Sequence, residues 1–215
     1  MKNVYYISGL GADERVFSYL KLTDAKEKYI KWVVPEKRES LSNYCKRLIP
    51  QIDLTNDIIL IGVSFGGIVA QEIAKIIKVK KVIIISSVKS AKEFDWKLSC
   101  VRFLKLHRLV PSRFLKWSNL VTGNYYFSTQ TKAESDLLKL IIKDTDRFFM
   151  KWAIEEIMSW NNNQLNSDLT HIHGDRDRIF PMGRIKNAIN VRNGGHFMIV
   201  NRAKEISGLI DKEIK

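Results

Sequence analysis

Apolar residues along this chain follow two alternating rhythms. Short continuous runs stand at residues 4–7 (VYYI), 30–34 (IKWVV, stopped by Pro35), 58–63, 82–85, 169–173 and 188–192. Runs of this kind lack the in–out alternation of a half-solvated strand, so they suit strands buried on both faces of a parallel sheet. Between them, apolar residues recur at helical spacing. Val69, Ile73, Ile76 and Ile77 form one stripe, and Ile199, Ala203, Ile206 and Ile210 form another. Strands alternating with helices feed right-handed crossovers, which predicts a three-layer, doubly wound α/β fold with a mostly parallel sheet.

One segment breaks the alternation. Residues 88–163 hold no strand pattern, only amphipathic helical patterns rich in aromatics. Arg102, Lys105 and Arg108 recur at steps of three beside Leu98, Val101, Leu104 and Leu106, in a helix expected to run to Pro111 with His107 exposed on it. Thr131-Lys132-Ala133-Glu134 has the spacing of a capping box and opens a second helix. Phe149, Ala153, Ile157 and Trp160 line one face of a third. The expectation is one domain over residues 1–215 that carries a helical insertion at 88–163. Trp96, Trp117, Trp152 and Trp160 are expected to pack within that insertion.

Composition narrows the picture without changing it. A chain of 215 residues, 45% hydrophobic, can bury a sizeable core. Its longest nearly uncharged apolar stretch, 58–70, falls short of the ~18 residues of a membrane span. The net charge of +13 raises the question of nucleic acid, but the excess is spread along the chain. Residues 1–90 carry 15 basic and 9 acidic groups, residues 91–160 carry 12 and 8, and residues 161–215 carry 9 and 6. Only 92–116, with seven basic and two acidic residues, is locally enriched. This distribution excludes a nucleic-acid partner and leaves a membrane surface as a lesser alternative. Cys45 and Cys100 lie far apart with no metal-ligand spacing, and Asp13-Glu14-Arg15 follows the N-terminal apolar run too soon for a secretory signal. A reduced, cytoplasmic protein is the expectation.

The chemistry is concentrated at Gly62-Val63-Ser64-Phe65-Gly66, a serine fenced by glycines between a strand and a helix. A turn this tight strains the serine and leaves no room for side chains where strand and helix close on each other, so Gly62 and Gly66 are required there. The hydroxyl then stands at the carboxyl end of the sheet, where open α/β folds bind ligands, facing the free N–H groups of a helix N-terminus. A serine hydroxyl is a poor nucleophile until a base takes its proton. The later loops supply one. Asp175 and Asp177 follow the strand at 169–173, and His196 sits after two glycines in Asn193-Gly194-Gly195-His196-Phe197. His171, His173 and Asp175 alternate along a strand, a spacing a metal can use, but a hydrogen-bonded strand end is the simpler reading. No metal and no cofactor is expected.

The pieces "YYISGLG", "GVSFGG", "HGDRDRIFP" and "GGHF", with nucleophile, acid and histidine in that order, resemble the α/β-hydrolase family along essentially the whole chain. The resemblance implies Ser64 as nucleophile, His196 as general base and acid, and an aspartate four residues before a proline, which selects Asp177. It implies an oxyanion hole built from the backbone N–H groups of Leu10 and Phe65, with the Phe65 ring a candidate pocket residue. It also implies a compact sheet of about six strands, because the chain starts at what would be the family's third strand, and a lid at 88–163. Ser8-Gly9 departs from the His-Gly that many relatives carry at this point. The function so implied is a serine hydrolase acting on a small or medium acyl ester or thioester. Alternatives are a ligand-binding, receptor-like protein with little turnover and a peripheral membrane lipase or thioesterase that meets anionic head groups through Arg102, Lys105 and Arg108.

Overall fold

The computed structural model describes residues 2–162 and 168–215. Six strands, β1 (Lys2–Ile7), β2 (Ala25–Tyr29), β3 (Ile58–Val63), β4 (Lys81–Ile85), β5 (Leu169–Gly174) and β6 (Ile189–Val191), form one sheet in the order β2-β1-β3-β4-β5-β6. Every neighbouring pair is parallel. Alternate residues of the central strands feed opposite cores. Tyr5, Ile7, Leu60 and Ile84 pack on one face with α1 (Leu41–Leu48) and α2 (Phe65–Ile76). Tyr6, Ile61, Ile83 and Ile85 pack on the other with α8 (Met198–Asn201) and α9 (Ala203–Glu213). Both faces are therefore apolar and the strands read as unbroken runs, which gives the three-layer α/β architecture.

The chain leaves β1 for β2 on one side and then returns to pair β3 on the other. The carboxyl ends of β1 and β3 thus diverge at a topological switch point, the place where open α/β sheets form a crevice. That is where Gly9 and Ser64 lie.

The second strand is not where its apolar content predicts. Strand β2 is the polar stretch Ala25–Tyr29, an edge strand that pairs only with β1. Residues 31–33 leave the sheet because side chains take their backbone groups. Gln51 exchanges hydrogen bonds with the Lys31 N–H and C=O, and the Tyr44 hydroxyl does the same for Val33.

Between β4 and β5 the described chain is helical, as its pattern predicts: α3 (Trp96–Phe103), α4 (Leu106–Leu109), α5 (Ser112–Phe127), α6 (Lys132–Asp144) and α7 (Arg147–Ser159). The expected end of the insertion, residue 163, lies outside the described residues. Helix α6 opens on Thr131, whose hydroxyl accepts from the Glu134 N–H, while the Glu134 carboxylate reaches back to the Gln130 N–H. Three expectations fail here. The helix predicted to run to Pro111 breaks at Lys105, which adopts a left-handed conformation (φ 54°). The break rotates His107 inward, so it is buried. The tryptophans also divide: Trp152 and Trp160 are tied to Glu39 and Glu72 through their indole N–H groups, whereas Trp96 and Trp117 are exposed. Among the described residues, no helix is long and apolar enough to cross a membrane.

Candidate active site

Strand β3 ends at Val63 and α2 begins at Phe65, so Ser64 alone makes the turn. Its backbone sits at φ 53°, ψ −119°, a strained conformation for a residue with a side chain. The surroundings hold it there. The Ser64 N–H donates to Ile85 O at 2.9 Å, and the Ser64 carbonyl accepts from the Ser87 hydroxyl at 2.7 Å and from the Gly67 N–H at 2.9 Å. The flanking glycines are needed for space. A Cβ on Gly62 would lie 2.3 Å from Gly66 O, and one on Gly66 would lie 2.1 Å from Ile7 O.

The loop after β6 brings His196 to this hydroxyl. Its Nε2 is 3.0 Å from Ser64 Oγ, and its Nδ1 is 2.8 Å from Asp177 Oδ2. The Asp177 side chain is fully buried, and its other oxygen accepts from the N–H groups of Ile179 and Phe180. Burial alone would raise the Asp177 pKa, but the imidazole beside it and these hydrogen bonds outweigh burial and hold the carboxyl below its ordinary value. An ionised Asp177 accepts only, so His196 donates to it from Nδ1 and presents Nε2 to the serine hydroxyl. Edge contacts from Phe127 and Phe180, with ring centroids 5.2 and 5.7 Å away, keep the imidazole in this orientation. Asp175 takes no part: it is exposed and accepts from the Asn193 N–H instead.

The two strand histidines form a second layer. His173 donates from Nε2 to Phe180 O at 2.8 Å, with the same nitrogen 3.7 Å from Asp177 Oδ2. Its Nδ1 therefore accepts, and His171 donates to it at 3.1 Å. Burial, with the His173 ring next, pushes the His171 pKa down to about 2; burial likewise lowers that of His173. Both rings are neutral supports for the turn that carries Asp177. Among the described residues, no group of three His, Cys, Asp or Glu side chains is placed to hold a metal ion.

Two backbone N–H groups lie near Ser64. The Phe65 N–H opens α2 and has no intrahelical acceptor. Leu10 lies in the loop after β1, beside Gly9. Among the described residues, neither N–H meets a protein acceptor. Ser8 has a local task here: its hydroxyl donates to Ala12 O at 2.6 Å and closes this loop. Thr145 secures the same loop from outside by donating to Gly11 O.

A cavity of about 220 Å³ opens over Ser64 and His196. Its far walls come from the inserted helices, including Leu98 of α3, Asn119 and Phe127 of α5, Leu138 of α6, and Ile154 and Met158 of α7. The lining is almost wholly apolar. The Phe65 ring is not part of it. It is fully buried beneath α7, with Trp32, Phe149 and Trp152 at centroid distances of 5.6, 6.5 and 6.1 Å. Two contributors escape a reading of the sequence, Ser87 and Asn119, whereas His171 and His173 form the hydrogen-bonded strand end expected of them. For Ser87 the signal was present, a serine at the carboxyl end of the apolar run 82–85.

Comparison with known proteins bears on the fold. Residues 12–103 match the uncharacterised protein family UPF0227. No significant match exists among curated protein sequences. Similar solved structures include an esterase from Exiguobacterium antarcticum (TM-score 0.73, 14% identity, 100% of this chain and 92% of that one). A thermophilic esterase from Thermogutta terrifontis is similar over 100% of this chain and 89% of its own (TM-score 0.68, 13% identity). A hydrolase from Oleispira antarctica is similar over 98% and 89% (TM-score 0.68, 15% identity). The chain has the α/β-hydrolase fold.

Proposed function

We propose that this protein is a serine hydrolase that cleaves small or medium acyl esters or thioesters through an acyl-enzyme. The observation that carries the reading is the continuous hydrogen-bonded chain from Ser64 Oγ through His196 to buried Asp177. Ser64 attacks the acyl carbon as His196 Nε2 takes its proton. Asp177 keeps the imidazole in the required tautomer and stabilises the imidazolium that forms. The N–H groups of Phe65 and Leu10 receive the oxyanion, each worth roughly 3–4 kcal/mol in the transition state. The imidazolium returns its proton to the departing alcohol or thiol, and water releases the acyl group by the same route. No step needs a cofactor or a metal.

Helices α3–α7 act as a lid, and the cavity beneath them sets the acyl preference. At about 220 Å³ it is somewhat larger than the ~150 Å³ apolar cavity that accommodates benzene in a well-studied engineered protein. An uncharged acyl chain of short to medium length suits that volume and lining. Turnover of nitrophenyl esters and acyl thioesters of increasing chain length tests the reading. Activity is expected to peak at short or medium chains and to fall by roughly 10⁴-fold or more in Ser64→Ala. A folded protein that turns over none of the series contradicts it.

A further inference from the structure

We propose that the outer surface of helices α3–α5 docks on an anionic lipid bilayer. Ten of the 17 large hydrophobic side chains that the described residues leave exposed fall between residues 96 and 126. On α5 they form one stripe: Phe114, Trp117, Val121 and Tyr125 stand at i, i+3, i+7 and i+11, and all are more than half exposed. The inner side of the same helix lines the cavity through Asn119 and Phe127. A helix apolar on both sides has a reason for its inner side and none, in the isolated molecule, for its outer side. Phe103 on α3 and Leu109 on α4 are exposed at 85% and 79%.

Charge identifies the occupant. From residue 96 to residue 131 there is no acidic residue and there are six basic ones: Lys97, Arg102, Lys105, Arg108, Arg113 and Lys116. Among the described residues, none of these six forms an ion pair with a carboxylate. Arg102 and Lys116 are turned to backbone carbonyls, while Lys105, Arg108 and Arg113 are exposed. A second copy of the chain, docked by the same surface about a two-fold axis, would set these cations against one another. A polyanion without an apolar phase would leave the Phe, Leu and Val side chains against water. An anionic bilayer satisfies both features: head groups meet the cations while the apolar side chains enter the acyl boundary. The 16 residues of α5 are too few to span a bilayer, so the helix lies in the interface plane.

The experiment is co-sedimentation of the intact protein with vesicles of phosphatidylcholine alone and of phosphatidylcholine mixed with phosphatidylglycerol, at low and high salt. It needs no turnover, so it succeeds or fails separately from the proposed hydrolysis. Binding is expected only with phosphatidylglycerol present, weakening as salt rises. The double variant Lys105→Ser, Arg108→Ser is expected to bind roughly 30-fold more weakly. The triple variant Leu109→Ser, Phe114→Ser, Trp117→Ser is expected to lose binding while its thermal midpoint matches wild type. Three results overturn the proposal: no sedimentation of the folded protein with anionic vesicles, binding indifferent to the triple variant, or a dimer in solution that the triple variant dissociates, which would assign the surface to a second copy.

Discussion

Replacing Gly66 with alanine puts a methyl group where the end of β1 already stands. The new Cβ would lie 2.1 Å from Ile7 O and 2.2 Å from Ser8 O, against the 3.0 Å that real Cβ atoms keep, so at least 0.9 Å must be found. The obstacle is backbone of a central strand, paired on both sides, which no side-chain rotation can clear. The N-terminus of α2 must therefore part from β1. Those two edges carry Ser64 and Phe65 on one side and the loop of Leu10 on the other, so the hydroxyl and its two backbone donors lose their common geometry. A displacement near 1 Å costs about 10²-fold in rate, and overpacking at a rigid site costs about 1–3 kcal/mol. Gly208→Ala is the matched control. That glycine lies within α9 with nothing inside 4 Å of its added Cβ, so alanine should stabilise the helix by up to ~1 kcal/mol. Ester hydrolysis and urea unfolding of both variants decide the matter. A Gly66→Ala protein with wild-type turnover and wild-type unfolding would refute the argument that this contact sets the elbow.

Other expectations concern neighbouring groups. Asp177→Asn removes the acceptor that fixes the His196 tautomer, and kcat should fall by about 10⁴-fold, while unchanged kcat would exclude Asp177 from the mechanism. Filling the cavity with Ile154→Phe should move the ester optimum to shorter acyl chains, and an unchanged chain-length profile would place the acyl group elsewhere. His171 titrates near 2 in the folded protein and near 6.5 unfolded, so the unfolded chain binds the extra proton on acidification. Its contribution to stability is complete above about pH 6.5 and is lost as pH falls, amounting to about 2 kcal/mol between about pH 7 and pH 5. Urea titrations at those two pH values should show His171→Gln losing less stability than wild type by that margin; equal losses would contradict neutral burial of His171.

The strands that build the crevice were legible because both faces of β1, β3 and β4 are covered, leaving unbroken β-branched and aromatic runs. The elbow was legible because steric necessity confines Gly62 and Gly66 to one arrangement. The choice between Asp175 and Asp177 rests physically on a turn that aims the Ile179 and Phe180 amides at Asp177, a detail spacing alone does not carry. Strand β2 escaped notice because an edge strand needs no apolar run, and Ala25–Tyr29 is mostly polar. The Phe65 ring was misplaced because a residue beside the elbow serine need not face the cavity: the ring enters the core under α7. His107 depends on a left-handed Lys105, which nothing in the local pattern marks. The outer stripe of α5 was hidden because apolar residues on both sides of a helix blur its periodicity.

The central claim is that Ser64 is an activated nucleophile, and the most direct measurement is reaction with a fluorophosphonate followed by peptide mapping. The geometry predicts one adduct, on Ser64, absent from Ser64→Ala and strongly slowed in His196→Ala. A folded protein that takes up no label, or one whose label survives in Ser64→Ala, would contradict it.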